Sequence, residues 1–505
     1  MYESGVARGR VVSLGRLTRR LADAGLAAAS DLDLIETNVD HLTCDSRMVG
    51  PRGMFVAQRG VQTDGHLFID KAVDNGAIAI VYEATPAEPH FPGVALVPVS
   101  DSHRALGLLA TEYFGDPSAR LTVVGVTGTN GKTTTTHLIH QALNLLDPPS
   151  GLIGTIDYRT PRTRTEASHT TPDALHVHAL LDQISDEDGR SCVIEVSSHA
   201  LVQGRAEGVS FAGAVFTNLT QDHLDYHGDM SAYGSAKKIL FDALDEDASA
   251  VYNADDPAGS PIVADTVARR VSYGRSAEAD IRFDIVESGL AVLKLRIDGR
   301  ARRFNLPGRF NAYNVAASYA LLVSLGFGGV ETLDALDQAR PAPGRFETIR
   351  LSGGPIAIVD YAHTPDALQN VLVAVAESKP KDAGVWCVFG CGGDRDRAKR
   401  PMMARIAEDG ADHVVVTDDN PRTEPSEQIF ADIRPGFRNP DRVVWHGDRR
   451  AAIATALEAA GAGDVVLVAG KGHETYQVIG TNKINFDDRK VIREIWSRRR
   501  SETTS

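Results

Sequence analysis

One stretch, Val123 to Leu143 (VVGVTGTNGKTTTTHLIHQAL), restricts what this chain can fold into more than any other. An apolar run of buried-strand type breaks at glycines and a Gly-Lys-Thr-Thr, then resumes with helical spacing. A strand, a glycine loop and a helix start in that order aim consecutive backbone N–H groups at one point. Glycine lets an anion approach that point closely. The expected ligand is a nucleotide phosphate chain, cradled by Gly128, Thr129, Asn130, Gly131, Lys132, Thr133 and Thr134. Lys132 would reach the β and γ oxygens, and the Thr133 hydroxyl would ligate Mg²⁺. One departure stands out: five residues separate Gly125 from Gly131, where the strict pattern has about four.

An acidic partner for the metal follows from "SCVIEVSSHA", an apolar run that ends in Glu195. A GTPase would also carry an Asn-Lys-x-Asp base-reading motif. The only Asn-Lys pair here is Asn482-Lys483, followed by Ile484 and Asn485, which counts against that class.

At 505 residues the chain exceeds what one core can organise. A formal charge of −14 weighs against a nucleic-acid partner. No apolar run reaches the roughly 20 residues that span a bilayer, so no membrane partner is expected. The start "MYESGVARGR" lacks the apolar segment of a signal peptide. The four cysteines suit a reducing compartment, so the cytoplasm is the expected location. Cys387 and Cys391 read as small apolar residues of a strand end rather than metal ligands. Protein partners are not legible.

Texture divides the chain into residues 1–117, 118–340 and 341–505, the last two parted by the joint "ARPAPGRFETI". The expected fold is α/β in three domains, with a central P-loop ATPase-type parallel sheet and a C-terminal Rossmann-like domain. In the last region "GVWCVFGCGGDRD", "ADHVVVTDDNPRTEP" and "GDVVLVAGKGHET" each run from a buried-type strand into a polar glycine loop. In a parallel sheet such loops gather at the carboxyl edge, where these folds bind ligands.

The phosphate loop is followed, in order, by "EVSSHALVQGR", "FTNLTQDHLDYHGDMSAYGSAKKILF", "PGRFNAYN", "GRFE" and "DYAHTPDAL". With them the chain resembles the Mur ligase family, ATP-dependent amide-forming enzymes of peptidoglycan synthesis. "DNPR" and "GKGHE" make it similar to the members that attach meso-diaminopimelate to UDP-N-acetylmuramoyl-L-Ala-D-Glu. The resemblance implies a UDP-sugar domain, an ATP domain and an amino-acid domain, in chain order. The last would close over the ATP domain about the joint. It implies that Lys132, Arg345, His223 and Lys237 are catalytic. Mg²⁺ would be held by Thr133, Glu195, His223 and a carbamylated Lys237. The carbamate is chemically reasonable, because an ammonium repels a cation and a carbamate oxygen binds it.

Adenosine recognition is carried over to Asn311, Asn314 and Asp360. The UDP substrate is assigned Ser46, Gln62, Thr63, Thr170, Thr171, Ser197, Gln203 and Arg205. His169 stands where some relatives have asparagine. The amino acid is assigned Arg395, Asp419, Asn420, Pro421, Arg422, Gly470 and Glu474. Here a physical argument joins the resemblance. Diaminopimelate exceeds lysine by a carboxylate, and an arginine fork pairs with both carboxylate oxygens. Two competing readings remain at this point: a sister ligase adding L-lysine or another amine (a folylpolyglutamate synthase, for example), and a P-loop regulator that only binds nucleotide.

Overall fold

The computed structural model describes residues 2–3, 6–27, 37–60, 63–83 and 91–503. Three large sheets follow one another along the chain, each with helices packed on it. The first has six strands, from Tyr2–Glu3 to Ala95–Val99. Its later strands pair in parallel, and the helix Ser102–Phe114 covers it.

The second sheet has eleven strands. Its parallel centre runs from Ser150–Ile153 through Ser191–Glu195, Thr122–Thr127, Gly213–Phe216 and Ser249–Asn253 to Arg269–Gly274. The strand of the opening motif therefore lies mid-sheet, apolar on both faces as a buried parallel strand requires. The sheet is not parallel throughout. Asp157–Arg159 and Arg164–Glu166 extend one edge antiparallel, and Leu293–Ile297 and Arg300–Phe304 extend the other. The second hairpin turns at Asp298-Gly299, both at positive φ, the dipeptide that favours such turns. Helices Phe310–Ser324 and Gly329–Asp337 pack on Lys132–Leu146, the helix that follows the phosphate loop.

The third sheet orders its strands as Glu347–Arg350, Ile356–Asp360, Val465–Ala469, Val385–Phe389, His413–Thr417 and Val444–His446. All pair in parallel except the first, a Rossmann-like arrangement. Cys387 and Cys391 are buried in its core, and burial pushes both thiols up to about 12. The joint between the second and third sheets is fixed at both ends. Arg340 exchanges two backbone bonds with the Gln141 side chain, each 3.0 Å, on the phosphate-loop helix. Gly344 packs against the other side: a Cβ there would lie 2.1 Å from the Gly472 backbone.

Candidate active site

A cleft of about 540 Å³ opens between the second and third sheets. The loop 128–134 forms one wall because the strand Thr122–Thr127 delivers it to the carboxyl edge. Its glycines are required: a Cβ on Gly128 would lie 1.8 Å from Thr217 Oγ1, and one on Gly131 2.5 Å from Asn314 Oδ1. Lys132 Nζ folds back and donates to the carbonyls of Gly128 and Thr129, both at 2.9 Å. Burial lowers its pKa.

Three groups meet beside it. Thr133 Oγ1 donates to Glu195 Oε2 at 3.1 Å and accepts from Arg345 Nη2 at 2.9 Å. Glu195, fully buried, also accepts from the N–H and hydroxyl of Thr155. A hydroxyl beside a carboxylate is the hard-oxygen set that Mg²⁺ takes while keeping several waters, so these residues fit that ion. Arg345 reaches across from the joint, its guanidinium carbon 4.5 Å above the Tyr361 ring. Asn130 and Thr220 donate to Asp366 at 2.5 and 3.0 Å, further joining the two sheets' loops.

The adjacent lysines separate cleanly. Lys238 is paired with Asp242 and Asp265 at the surface, whereas Lys237 is 1% exposed. Lys237 Nζ sits 4.1 Å from the Tyr233 ring centroid, with no carboxylate within 4 Å among the described residues. Burial holds its amine well below the usual lysine range. His223 lines the cleft at a left-handed φ of 54°, packed edge-on to His199 and Tyr233. A free amine offers Mg²⁺ no oxygen, so His223 and Lys237 fit the ion only with the lysine converted to a carbamate.

The residues expected at the base divide. Asn314 and Asp360 line the cleft; Asn311 does not. Its amide donates to Pro307 O at 2.6 Å and its oxygen accepts from Asn314, both inside the core. Asp360 Oδ2 accepts from the Phe346 N–H at 2.6 Å, and burial pushes its carboxyl up to about 6. Of the UDP-substrate residues, Thr170 and Ser197 line the cleft. Thr171 lies behind, donating to Glu195 O at 2.6 Å, and its carbonyl accepts from Arg205. Gln203 and Arg205 are bonded together. Ser46 and Thr63 belong to the first sheet's loops, Ser46 buried and Thr63 exposed. Gln62 lies outside the described residues.

At the third sheet's carboxyl edge the loops gather as parallel topology requires. Arg422, at φ 53°, donates to Gly393 O at 2.9 Å. No carboxylate lies within ion-pair distance of it among the described residues, so it closes no structural salt bridge. Arg395 is exposed on the neighbouring loop. A Cβ on Gly392 would lie 3.0 Å from Arg422 and 3.6 Å from Arg395, so both arginines flank that glycine. Pro421 packs its carbonyl on Gly393, and Gly470 donates to Asp360 O.

A residue not singled out from the sequence organises the rest. Lys471, wholly buried, donates to Asn420 Oδ1 at 2.9 Å and Glu474 Oε2 at 3.2 Å, and lies 3.5 Å from Asp419 Oδ1. Burial followed by the Asp419 charge raises the Glu474 carboxyl. Asp419 Oδ1 is buried with no hydrogen-bond donor. Two carboxylates and one ammonium leave a single negative charge, the complement of one incoming ammonium. A larger hollow of about 670 Å³ lies away from this cleft. There Arg159 and Arg164 share Asp157, and Arg162 faces Asp188, so those cations are already matched.

Family models match this chain in three segments. Residues 38–114 match a Mur ligase family catalytic domain, 126–322 a Mur ligase middle domain and 344–472 a Mur ligase glutamate ligase domain. A relative from Parabacteroides distasonis, named UDP-N-acetylmuramoyl-L-alanyl-D-glutamate--2,6-diaminopimelate ligase, is 44% identical over 469 residues, 92% of this chain and 96% of its own. A protein of the same name from Geobacillus thermodenitrificans is 44% identical over 470 residues, covering 91% and 95%. A solved structure under that name superposes with a TM-score of 0.69 at 33% identity, covering 97% of this chain and 99% of the other.

Proposed function

This chain belongs to the Mur ligase family, and on that footing we propose that it is an ATP-dependent ligase joining meso-diaminopimelate to the D-Glu side carboxylate of UDP-N-acetylmuramoyl-L-Ala-D-Glu. One observation carries the amino-acid choice: the carboxylate-free Arg422 stands in the same loop cluster as the Asp419–Lys471–Glu474 group. An arginine fork and a net negative site suit the far carboxylate and an ammonium of one zwitterion. L-lysine would leave Arg422 without an anionic partner, a loss of about a thousandfold or more.

We assign residues 1–117 to the UDP-sugar, 118–340 to ATP and the acyl acceptor, and 341–505 to the amino acid. The D-Glu carboxylate oxygen attacks the γ-phosphorus, ADP leaves, and an acyl phosphate forms. The amine then attacks the carbonyl carbon, loses a proton, and phosphate departs. Lys132 leaves the Gly128 and Thr129 carbonyls for the β and γ oxygens, and Arg345 stabilises charge on the transferring group. Thr133 and Glu195 would hold one Mg²⁺, with His223 and a Lys237 carbamate for a second. Bound there, Mg²⁺ supplies charge neutralisation on the phosphoryl oxygens. Lys237 is suited to carbamylation because burial lowers the proton affinity of its amine, which favours the lone pair that attacks CO₂. Asp360 serves the ribose and Asn314 the base side. Asn311 acts behind Asn314 rather than on the nucleotide.

The test is a product-mass assay with Mg-ATP and the UDP-dipeptide, in parallel with meso-diaminopimelate, L-lysine or no amine. A diaminopimelate-dependent tripeptide with ADP release is expected. Product with lysine alone overturns the Arg422 argument. ATP hydrolysis with no amide in any tube favours the nucleotide-binding regulator instead.

A further inference from the structure

We propose that Arg400, which touches no substrate in the reading above, is the positioning residue that fixes Arg422 and thereby sets the preference for a second carboxylate. The inference rests on the diaminopimelate assignment and deepens it.

Arg422 is precariously placed for a residue that must match a planar carboxylate. Its backbone is left-handed, at φ 53°, and among the described residues its guanidinium bonds only to carbonyls, those of Gly393 and Asn420. Its backbone is pinned to Val478 O and the Gly480 N–H, so what remains to be set, the direction of its guanidinium, depends on how the loops carrying Gly393 and Asn420 are held together. Gly393 N–H donates to Asn420 O at 3.0 Å, and a Cβ on Gly393 would lie 1.8 Å from Pro421 O, so the two backbones are in full contact.

The charged clasp behind them is Arg400. Its side chain is 0% exposed on the helix Lys399–Gly410. It grips Glu424 through both carboxylate oxygens, at 2.8 and 2.7 Å, and reaches Gly392 O at 3.1 Å. Glu424 lies two residues past Arg422, and Gly392 directly precedes Gly393. One guanidinium thus holds both loops beside the points that aim Arg422. Asp432 takes a further bond from Arg400 at 2.7 Å. On the solvent side Thr423 closes the same clasp, donating from backbone and hydroxyl to Asp394 Oδ2 at 3.1 and 2.9 Å. A lysine at 400 has no planar fork and would meet only part of this set.

The test compares kcat/KM for meso-diaminopimelate and L-lysine, with KM for ATP, in Arg400→Lys, Glu424→Gln and Thr423→Val. A loosened clasp raises KM for diaminopimelate by about 100-fold in the two buried variants, the scale of a lost bidentate charged pair. Thr423→Val, exposed and safe for folding, raises it by about 5-fold, the scale of one hydrogen bond. KM for ATP stays within about twofold, and the diaminopimelate-to-lysine ratio narrows in the same order. Thr423→Val keeps the test decisive if the buried variants do not fold. An unchanged ratio in folded variants, or equal loss toward ATP and amine, overturns the clasp while the ligase reading stands. Wild-type enzyme that makes no diaminopimelate product removes that reading, and the clasp with it.

Discussion

The two ends of the cleft treat their charges in opposite ways. At the phosphate end the loop's charged and hydroxyl groups bond inside the protein: Lys132 to loop carbonyls, Thr133 to Glu195, and Arg345 Nη2 to Thr133. At the amino-acid end, among the described residues, Arg422 has only carbonyls, and a buried oxygen of Asp419 has no hydrogen bond, only the Lys471 charge 3.5 Å away. A matched set holds its shape without a ligand and must exchange bonds when one arrives. An incompletely matched set is held by what lies behind it and waits for one particular charge pattern. The first suits a phosphate chain common to many enzymes, the second a choice among similar amino acids.

Substitutions can break this contrast. Lys132→Ala should have the largest effect, lowering ADP release and amide formation together by about a thousandfold or more, since charge on the transferring phosphoryl loses its main cation. Comparable ADP release from that variant would undo the phosphate assignment. Lys237→Ala comes next, at about a hundredfold under CO₂-replete buffer. Its neighbour Lys238→Ala serves as the control. Unimpaired activity in Lys237→Ala would remove the carbamate role. Arg422→Ala should cost about a hundredfold in kcat/KM for diaminopimelate while sparing KM for ATP, as loss of a charge-assisted pair. Equal damage to both would make the two ends a single unit.

Smaller still is a stability effect at Asp360. Its folded carboxyl is raised to about 6, so the folded chain binds the proton more tightly than the unfolded one. Wild-type stability therefore carries a penalty that is absent below the ordinary aspartate range, grows as pH rises toward 6, and is complete above it. Asp360→Asn can still accept from Phe346, so it should melt a few degrees higher than wild type above pH 6, converging with it near pH 4. A melting difference independent of pH would contradict this origin. Lys238→Ala closes the series with less than about a twofold change in rate, because its pairs with Asp242 and Asp265 are solvent-screened.

The same contrast marks what the sequence could reveal. The phosphate loop was legible because strand, glycines and helix are local, and so were the three strand-tip loops that parallel topology gathers. Buried cations were not. Nothing local in the sequence marks Arg400, Arg449 or Lys471 as buried, yet each is at most 1% exposed. Arg449 pairs with Asp488, 39 positions on, and donates to the carbonyls of Asp418 and Ala469. Only tertiary folding brings such partners together. Spacing also could not show that the Asn311 amide turns to Pro307, or that Lys237 faces inward while Lys238 faces out. The antiparallel strand Arg300–Phe304 does carry a local signal, Asp298-Gly299, weak beside the parallel pattern that precedes it.

The joint fixes how the cleft can move. Arg340 is tied to Gln141 on the phosphate-loop helix, and Gly344 is seated on Gly472 of the loop that carries Lys471 and Glu474. Between them lie only Pro341, Ala342 and Pro343. Proline fixes φ, so this link has few free torsions. It is an axle rather than a tether: any closure of the third sheet over the second would be confined to a narrow track. Arg345 lies beyond the axle, on the side of the amino-acid loops, so its bond to Thr133 makes the cation at the phosphate end depend on where those loops stand.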